Sequence, residues 1–473
     1  MRKTKIVCTI GPASSDEKTL ERMMKNGMNV ARLNFSHGTH EEHHKTIATV
    51  RAVRDRLGIP LAIMLDTKGP EIRLRTIAGG KATLKKGDSF TLTTREVEGN
   101  EKEVTISYAK LPERMKKGIT ILIDDGKIRL TVDSVTDTDI LCTVEEGGEI
   151  RSRKSLNVPN VPLHMPYISE ADEKDLLFAV EDDVDFVSAS FVRSKEDVIA
   201  LRKFLDYHGG HKIRIIAKIE NIEGIKNFDE ILRYADGIMV ARGDMGVEVE
   251  FERLPGIQKR FIRKCYQAGK MVITATQMLE SMVTAATPTR AEITDVANAV
   301  FDGTSAVMLS GETAMGVNPP RVVKVMAKIA AQAEIDAFDL GAYCGIDHDV
   351  EIGDTTNALC DAACTTARDL GAAAIIAVTK SGATARRVSK FRPLIPIVAA
   401  TPEKKTFHQL ALSWGVSPVL SLNQTDADRL FLHAVDCAKQ IDLVEKGDTV
   451  VITAGVPLNV AGTTNTIKVT KVE

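Results

Sequence analysis

The stretch Arg214 to Glu250, RIIAKIENIEGIKNFDEILRYADGIMVARGDMGVEVE, decides the fold. Two apolar runs of strand length, IIAKIE and GIMVARGD, flank a segment whose apolar positions Ile222, Ile225, Phe228, Ile231 and Leu232 recur at helical spacing. This is one βαβ unit. Each run ends in charge: the first in Lys218 and Glu220, the second in Arg242 and Asp244, with Gly243 and Gly246 around the last acid. In a parallel α/β sheet the carboxyl ends of the strands form the mouth where ligands bind.

Two carboxylates and a lysine therefore meet at one mouth. Acids on adjacent strands suit a hard divalent cation that keeps open positions for phosphate oxygens, the usual way Mg²⁺ is held. A lysine beside them can neutralise charge on a phosphoryl group in transit. Taken alone, the same residues also read as ordinary caps, because acids at strand-to-helix junctions commonly cap the following helix or turn.

The pattern repeats. Apolar runs that end in small or polar residues occur at KIVCTIG (5–11), NVARLNF (29–35), LAIMLDT (61–67), DFVSASF (185–191), RIIAKIE (214–220), GIMVARG (237–243), MVITATQ (271–277) and SAVMLSG (305–311). Eight such runs with helical connections count out a (β/α)₈ barrel of the TIM type. One connection holds something foreign: KATLKKGDSFTLTT, ITILIDDGKIRLTVDSV and DILCTVEEGG alternate like strands and read as a small all-β insert over the mouth. After the last barrel helix, expected from Pro320 to about Ala337, a second βα alternation follows. It predicts a separate α/β domain with a mostly parallel sheet and an antiparallel edge strand. The expected division is residues 1–69 and 166–338 for the barrel, 70–165 for the insert and 339–473 for the C-terminal domain.

Bulk properties exclude several classes. The 473 residues are 44% hydrophobic and 27% charged with a net charge of -2, which argues against coating nucleic acid. The apolar run after the basic start is too short for a signal segment, and no run approaches a membrane span. The seven cysteines are scattered without a C-x-x-C pair, so the expectation is a reduced, cytoplasmic enzyme.

The remaining strand ends enrich the mouth. Arg32 and Lys218 suit an anionic, phosphorylated ligand. Asn34, Ser36, Asp66 and Thr67 offer one acid among neutral oxygens, a set that suits a monovalent cation better than zinc. Thr9, His37, Lys68, Ser190, Thr276, Gln277, Ser310 and Glu312 complete the rim. No G-x-x-x-x-G-K-[ST] loop occurs, so phosphate would be held by metal and side chains. Gly243, Asp244 and Gly246 at a helix start could present backbone N–H groups to a carboxylate. HEEHH (40–44) fits the zinc-protease pattern H-E-x-x-H, yet it sits at a helix start where Glu41 and Glu42 suit the dipole, and no third ligand is evident.

The stretches KTKIVCTIGPAS, GMNVARLNFSHG, LDTKGPEIR, AKIEN, GIMVARGDMGVE, VITATQMLESM, PTRAEITDVANAVFDGTSAVMLSGETA and GTTNTIKV carry a resemblance along the whole chain. The chain resembles pyruvate kinase, in its bacterial, three-domain form without an extra C-terminal extension. The resemblance implies phosphoryl transfer from phosphoenolpyruvate to ADP, giving pyruvate and ATP in the last step of glycolysis. It implies that Glu220 and Asp244 ligate Mg²⁺ (or Mn²⁺), and that Asn34, Ser36, Asp66 and Thr67 hold K⁺. Lys218, Arg32 and Thr276 would be catalytic, and with Gly243 and Asp244 they would bind substrate. Arg73, Lys154, Asn34 and His37 would lie near the nucleotide. Glu71 goes with K⁺-dependent members.

The resemblance also implies a phosphorylated allosteric effector on the loop containing Thr379, Ser381, Gly382 and Thr384, and a homotetramer. The alternative for that loop is a plain helix start capped by Thr384. The last loop, GVPLNVAGTTN, lacks the basic and aromatic residues that accompany fructose 1,6-bisphosphate binding, which favours a monophosphate such as AMP or a pentose phosphate. Around Lys154 the stretch RSRKSLNVPN lacks the family's glycines, the stretch MVTAATPTRAE has alanine where an arginine is common ahead of Pro-Thr-Arg, and Ser305 replaces a usual aspartate. Two rival readings are a Mg²⁺-dependent lyase or aldolase of pyruvate-like enolates, and an inactive metabolite-binding relative. The β insert and the potassium set favour the kinase over the first. The second predicts a broken constellation, whereas Arg32, Lys218, Glu220, Asp244 and Thr276 all stand.

Overall fold

A computed structural model describes residues 1–163, 165–341, 354–457 and 464–473. Eight parallel strands close into a barrel: Lys5–Thr9, Val30–Asn34, Ala62–Asp66, Phe186–Ala189, Arg214–Ile219, Gly237–Ala241, Met271–Ala275 and Ala306–Leu309. They neighbour one another in chain order, and the first pairs with the last through Lys5↔Ala306. All eight expected runs are strands, and the polar residues that close them stand at the last strand position, as Thr9, Asn34 and Asp66 do, or just past it, as Ser190, Glu220 and Arg242 do. Those residues are thereby left at the mouth. The register sets Asn34 opposite Asp66, and Asp66 opposite Ser188.

Alternation divides each strand between two apolar environments. Val7, Val30, Met64, Phe186, Ile216, Met239 and Met308 fill the lumen. Their sequence neighbours, among them Ile6, Ala31, Leu65, Ala217 and Val240, pack against the outer helices. This is why the strands read as continuous apolar runs rather than as alternating ones.

The connection inside the deciding βαβ unit is two short helices, Ile222–Lys226 and Phe228–Tyr234, where periodicity predicts one. The break falls at Asn227, whose side-chain amide donates to Arg193 O at 2.9 Å. The HEEHH segment opens the helix His40–Leu57. Thr39 caps it in a reciprocal capping box with Glu42, His40 pairs with Asp175, and His44 pairs with Asp182. The zinc pattern thus stands at a capped helix start, with two of its histidines paired to aspartates.

Between the third and fourth barrel strands lies a seven-stranded sheet with its own core, including Phe90, Leu92, Ile121, Leu130 and Val144. Its strands Ile72–Arg73 and Ser155–Asn157, at the two ends of the insert, pair with each other. Its hairpin between Thr120–Ile123 and Ile128–Val135 turns at Asp124 and Asp125, both in the left-handed region.

The C-terminal sheet has the order Val416–Leu420, Ile397–Thr401, Ala374–Val378, Thr449–Gly455 and Thr464–Lys471. The first four strands are parallel and the last is antiparallel, the expected edge. Leu412 of this domain is fully buried among the lumen residues at the barrel's base. Most of the loop GVPLNVAGTTN lies outside the described residues. No helix among the described residues is long and apolar enough to cross a membrane.

Candidate active site

The mouth of the barrel and the overhanging insert enclose a cleft of about 330 Å³. Barrel residues Arg32, Asn34, Ser36, His37, Asp66, Lys68, Ser190, Lys218, Glu220 and Asp244 line one side. Glu71, Arg73, Asp124, Asp125, Lys154 and Ser155 line the other.

At its floor Arg32, Lys218, Asp66 and Glu220 form one continuous electrostatic chain. Arg32 Nε donates to Asp66 Oδ2 at 2.8 Å, and Arg32 Nη1 donates to Thr9 Oγ1 at 2.8 Å. Lys218 Nζ lies 3.1 Å from Asp66 Oδ1 and 2.8 Å from Ser190 Oγ. All four charged side chains are buried. Burial alone would raise the Asp66 carboxyl, but the Arg32 guanidinium and the Lys218 ammonium outweigh it and hold the group at about 2. Asp66 therefore stays ionised. Burial would likewise discharge Lys218, yet Asp66 and Glu220 reverse that and raise it, so the ammonium keeps its proton.

Glu220 is in the opposite condition. Burial pushes its carboxyl up to about 7, against the pull of Lys218 and with the help of Asp244. Its Oε2 accepts from the Phe191 N–H at 2.6 Å, a group presented by left-handed backbone with φ 54°. Its Oε1 is buried and satisfied by no hydrogen bond, although Lys218 Nζ is 3.0 Å away. Burial also raises Asp244. Two carboxylates with raised affinity for positive charge, one carrying an unsatisfied buried oxygen, form a donor set that fits a hard divalent cation, with the other coordination positions left to substrate oxygens and water.

The oxygen set read as a monovalent site is drawn together only in part. Asn34, Ser36 and Asp66 line the cleft. Both Asp66 oxygens already face cations, and Asn34 Oδ1 accepts from the Ser36 N–H at 3.1 Å. Thr67 is turned into the wall, where its Oγ1 accepts from the Ser190 N–H at 3.2 Å.

Thr276 follows the seventh strand with φ 72°, and its Oγ1 accepts from the Gly243 N–H at 2.8 Å. Arg242, a strand-end cation, turns away from the cleft. It donates to the Ala275 and Thr276 carbonyls at 3.2 and 2.6 Å and pairs with Asp295 at 2.8 Å. Glu312 is fully buried and accepts from the Leu279 and Ser310 N–H groups, so it braces the loops beneath the mouth.

Above the floor, Arg73 pairs with Glu71 at 2.7 Å and Lys154 pairs with Asp124 at 2.7 Å. Sequence reading missed Asp124 and Asp125. The D-D-G-K turn in ITILIDDGKIRL was the available signal, but it identifies a hairpin tip and not what the tip hangs over. Phe191 was missed because its contribution is a backbone N–H.

In the C-terminal domain the loop before the helix Ala383–Lys390 is closed by Gly382, whose N–H donates to Thr379 Oγ1 at 3.0 Å. Gly382, with φ 79°, occupies the cap position. Thr384 is not the cap: it lies inside the helix with its hydroxyl 2.7 Å from that of Thr464. Ser381 is exposed on the loop.

Comparisons with known proteins agree with this architecture. The family model described as pyruvate kinase, barrel domain, matches residues 1–339, and the pyruvate kinase alpha/beta domain matches residues 357–470. The pyruvate kinase of Clostridium acetobutylicum is 49% identical over 474 residues, spanning all of both chains. That of Geobacillus stearothermophilus is 47% identical, over 99% of this chain and 80% of the relative. A crystal structure of a pyruvate kinase from Cryptosporidium parvum superposes with a TM-score of 0.93 at 40% identity, covering 99% of this chain and 96% of that one. With the barrel, the insert, the C-terminal sheet and full-length relatives in agreement, the chain belongs to the pyruvate kinase family of phosphotransferases.

Proposed function

We propose that this chain transfers the phosphoryl group of phosphoenolpyruvate to ADP in the cleft floored by Arg32, Asp66, Lys218 and Glu220. One observation carries the assignment of roles: two buried cations are held on one buried aspartate, beside a buried glutamate that lines the same cleft with its Oε1 3.0 Å from Lys218 Nζ. Arg32 and Lys218 are fixed by Asp66, so they need no reorganisation when charge develops on the phosphoryl oxygens. Preorganisation of this kind is the main source of catalysis in phosphoryl transfer.

In the step, the bond between the enol oxygen and phosphorus breaks as a β-phosphate oxygen of ADP bonds to the same phosphorus. Lys218 balances the charge shared between the phosphoryl group and the departing enolate, and Arg32 orients the phosphoryl group. The enolate then takes a proton at carbon, from the side of Thr276. Thr276 and the Gly243 backbone position the substrate carboxylate. Arg73 and Lys154, on the insert, face the nucleotide phosphates together with Asn34 and His37, and the insert excludes water as it closes.

Family members generally use Mg²⁺ and K⁺. When bound by Glu220 and Asp244, Mg²⁺ (or Mn²⁺) supplies Lewis-acid stabilisation of phosphoryl and enolate oxygens. Asn34, Ser36, Asp66 and Thr67 would hold K⁺, with Thr67 reorienting to join them. A phosphorylated effector would dock on Thr379, Ser381, Gly382 and Thr384, and the active form would be a homotetramer in the cytoplasm. The lyase and inactive readings have no observation in their favour. A mixture of the protein with phosphoenolpyruvate, ADP, Mg²⁺ and K⁺, coupled to NADH oxidation, should report pyruvate. A rate no higher than the blank ends the proposal.

A further inference from the structure

Beneath the barrel, on the side away from the catalytic cleft, a cavity of about 820 Å³ opens between the strand bases and the C-terminal domain. Seven lysine and arginine side chains line it against three aspartates, in a chain whose net charge is -2. The three aspartates are already matched: Asp236 to Arg214 at 2.7 Å, Asp229 to Lys264, and Asp354 to Arg387 at 2.6 Å. Lys270, Arg386 and Arg233 have no carboxylate within ion-pair distance among the described residues.

Lys270 and Arg386 instead rest on main-chain oxygens. Lys270 Nζ donates to the carbonyls of Leu232, Arg233 and Ala235, and Arg386 Nη2 donates to Ser381 O at 2.9 Å. Arg214 Nη2 donates to the same Ser381 oxygen at 3.2 Å. A carbonyl is a weaker partner for a guanidinium than an oxyanion is, and charge-assisted bonds to phosphate are about twice as strong as neutral ones. Burial, and for Arg386 the nearby Arg214, lower both groups, Arg386 to about 9. An arriving anion would relieve that strain on both cations.

We propose that this cavity is a second anion site, which takes a small non-aromatic molecule carrying two or more phosphate groups, held by Lys270, Arg386 and Arg233. Among the described residues no aromatic side chain lines the cavity to stack a base, which favours a bisphosphorylated sugar or an inorganic polyphosphate over a nucleotide. The cations come from both the barrel base and the helix Ala383–Lys390, so the ligand bridges the two domains. It also draws Arg214 and Arg386 away from the Ser381 carbonyl, which links this site to the neighbouring loop.

The test is calorimetric titration of the full-length protein with sodium pyrophosphate in Mg²⁺-free buffer. The double variant Lys270→Gln/Arg386→Gln should bind about tenfold or more weakly, the loss expected when charge-assisted bonds are removed. Arg233→Glu, an exposed change that disturbs no internal bond, should weaken the same site, and the paired loop variant Ser381→Ala/Thr384→Ala should bind as the parent does. Undetectable binding to the parent at millimolar pyrophosphate overturns the proposal. So does parent-like affinity in Arg233→Glu together with the double variant, or a loss confined to the loop variant.

Discussion

Lys218 Nζ lies 3.0 Å from Oε1 of Glu220, the acid two residues further along the same chain segment. Side chains at i and i+2 share a face of a strand, so one strand delivers both the cation and the carboxylate to the mouth. Replacing Lys218 by Met should lower kcat by about 10²- to 10³-fold, the usual cost of removing one preorganised stabilising group. The Michaelis constant for phosphoenolpyruvate should change far less. Steady-state kinetics decide this, and a loss below tenfold would remove Lys218 from the assigned role.

Asp66 is the shared anchor of Arg32 and Lys218. In Asp66→Asn the buried Arg32 loses its only ion-pair partner among the described residues and Lys218 keeps Glu220 alone, a change that costs roughly 3–5 kcal/mol when a buried pair is broken. The expected outcome is a lower melting temperature together with loss of activity. A variant as stable as the parent would mean that another group neutralises the pair.

Arg242 acts on the site through Thr276. Its bonds to the Ala275 and Thr276 carbonyls, with Asp295 behind it, hold a left-handed turn that a β-branched residue does not choose unaided. Asp295→Asn should reduce kcat by roughly tenfold through misplacement of Thr276, since ångström-scale displacements are felt at this level. The folded fraction and the Mg²⁺ requirement should stay as in the parent. An unchanged kcat would assign Asp295 to stability alone.

Glu71 lines the cleft and pairs with Arg73, and burial raises its carboxyl. A negative group there leaves the cleft one positive charge short, which is the deficit K⁺ would fill. Rates in K⁺ should exceed those in Na⁺ severalfold, and Glu71→Gln should narrow the ratio. Equal rates in both salts for the parent would dismiss this role.

His408 is buried in the C-terminal domain, and neither ring nitrogen has a hydrogen-bond partner among the described residues. Burial, followed by Arg54 and partly countered by Asp55, lowers its pKa from 6.5 to about 3. The unfolded chain therefore binds a proton that the folded chain refuses. No stability is lost above pH 6.5, and below it stability falls by up to about 1.4 kcal/mol per pH unit. Melting temperatures of His408→Phe should lose this dependence between pH 6.5 and 4. A slope unchanged from the parent would place the acid sensitivity elsewhere.

The fold was legible because a barrel strand is apolar on both faces and ends abruptly in polar residues. Lys5–Thr9, Arg214–Ile219 and Gly237–Ala241 announce themselves in this way within a few residues. The same local rule exposed Arg32, Asp66, Lys218, Glu220 and Asp244, since a buried strand carries the charge at its end to the rim of the mouth. What no local rule reaches is contact between distant segments. Asp124 and Asp125 enter the cleft only because the insert folds over it, and Arg242 leaves the cleft because Asp295 waits on another helix. Leu412 plugs the barrel base from a domain some hundred residues beyond the last barrel strand. Chain order and hydrophobic period thus set which residues reach the mouth. Which of them stay free there, and which are taken up as braces, was decided by tertiary pairing, because a charge buried in the fold settles on whatever opposite charge the packing brings within reach.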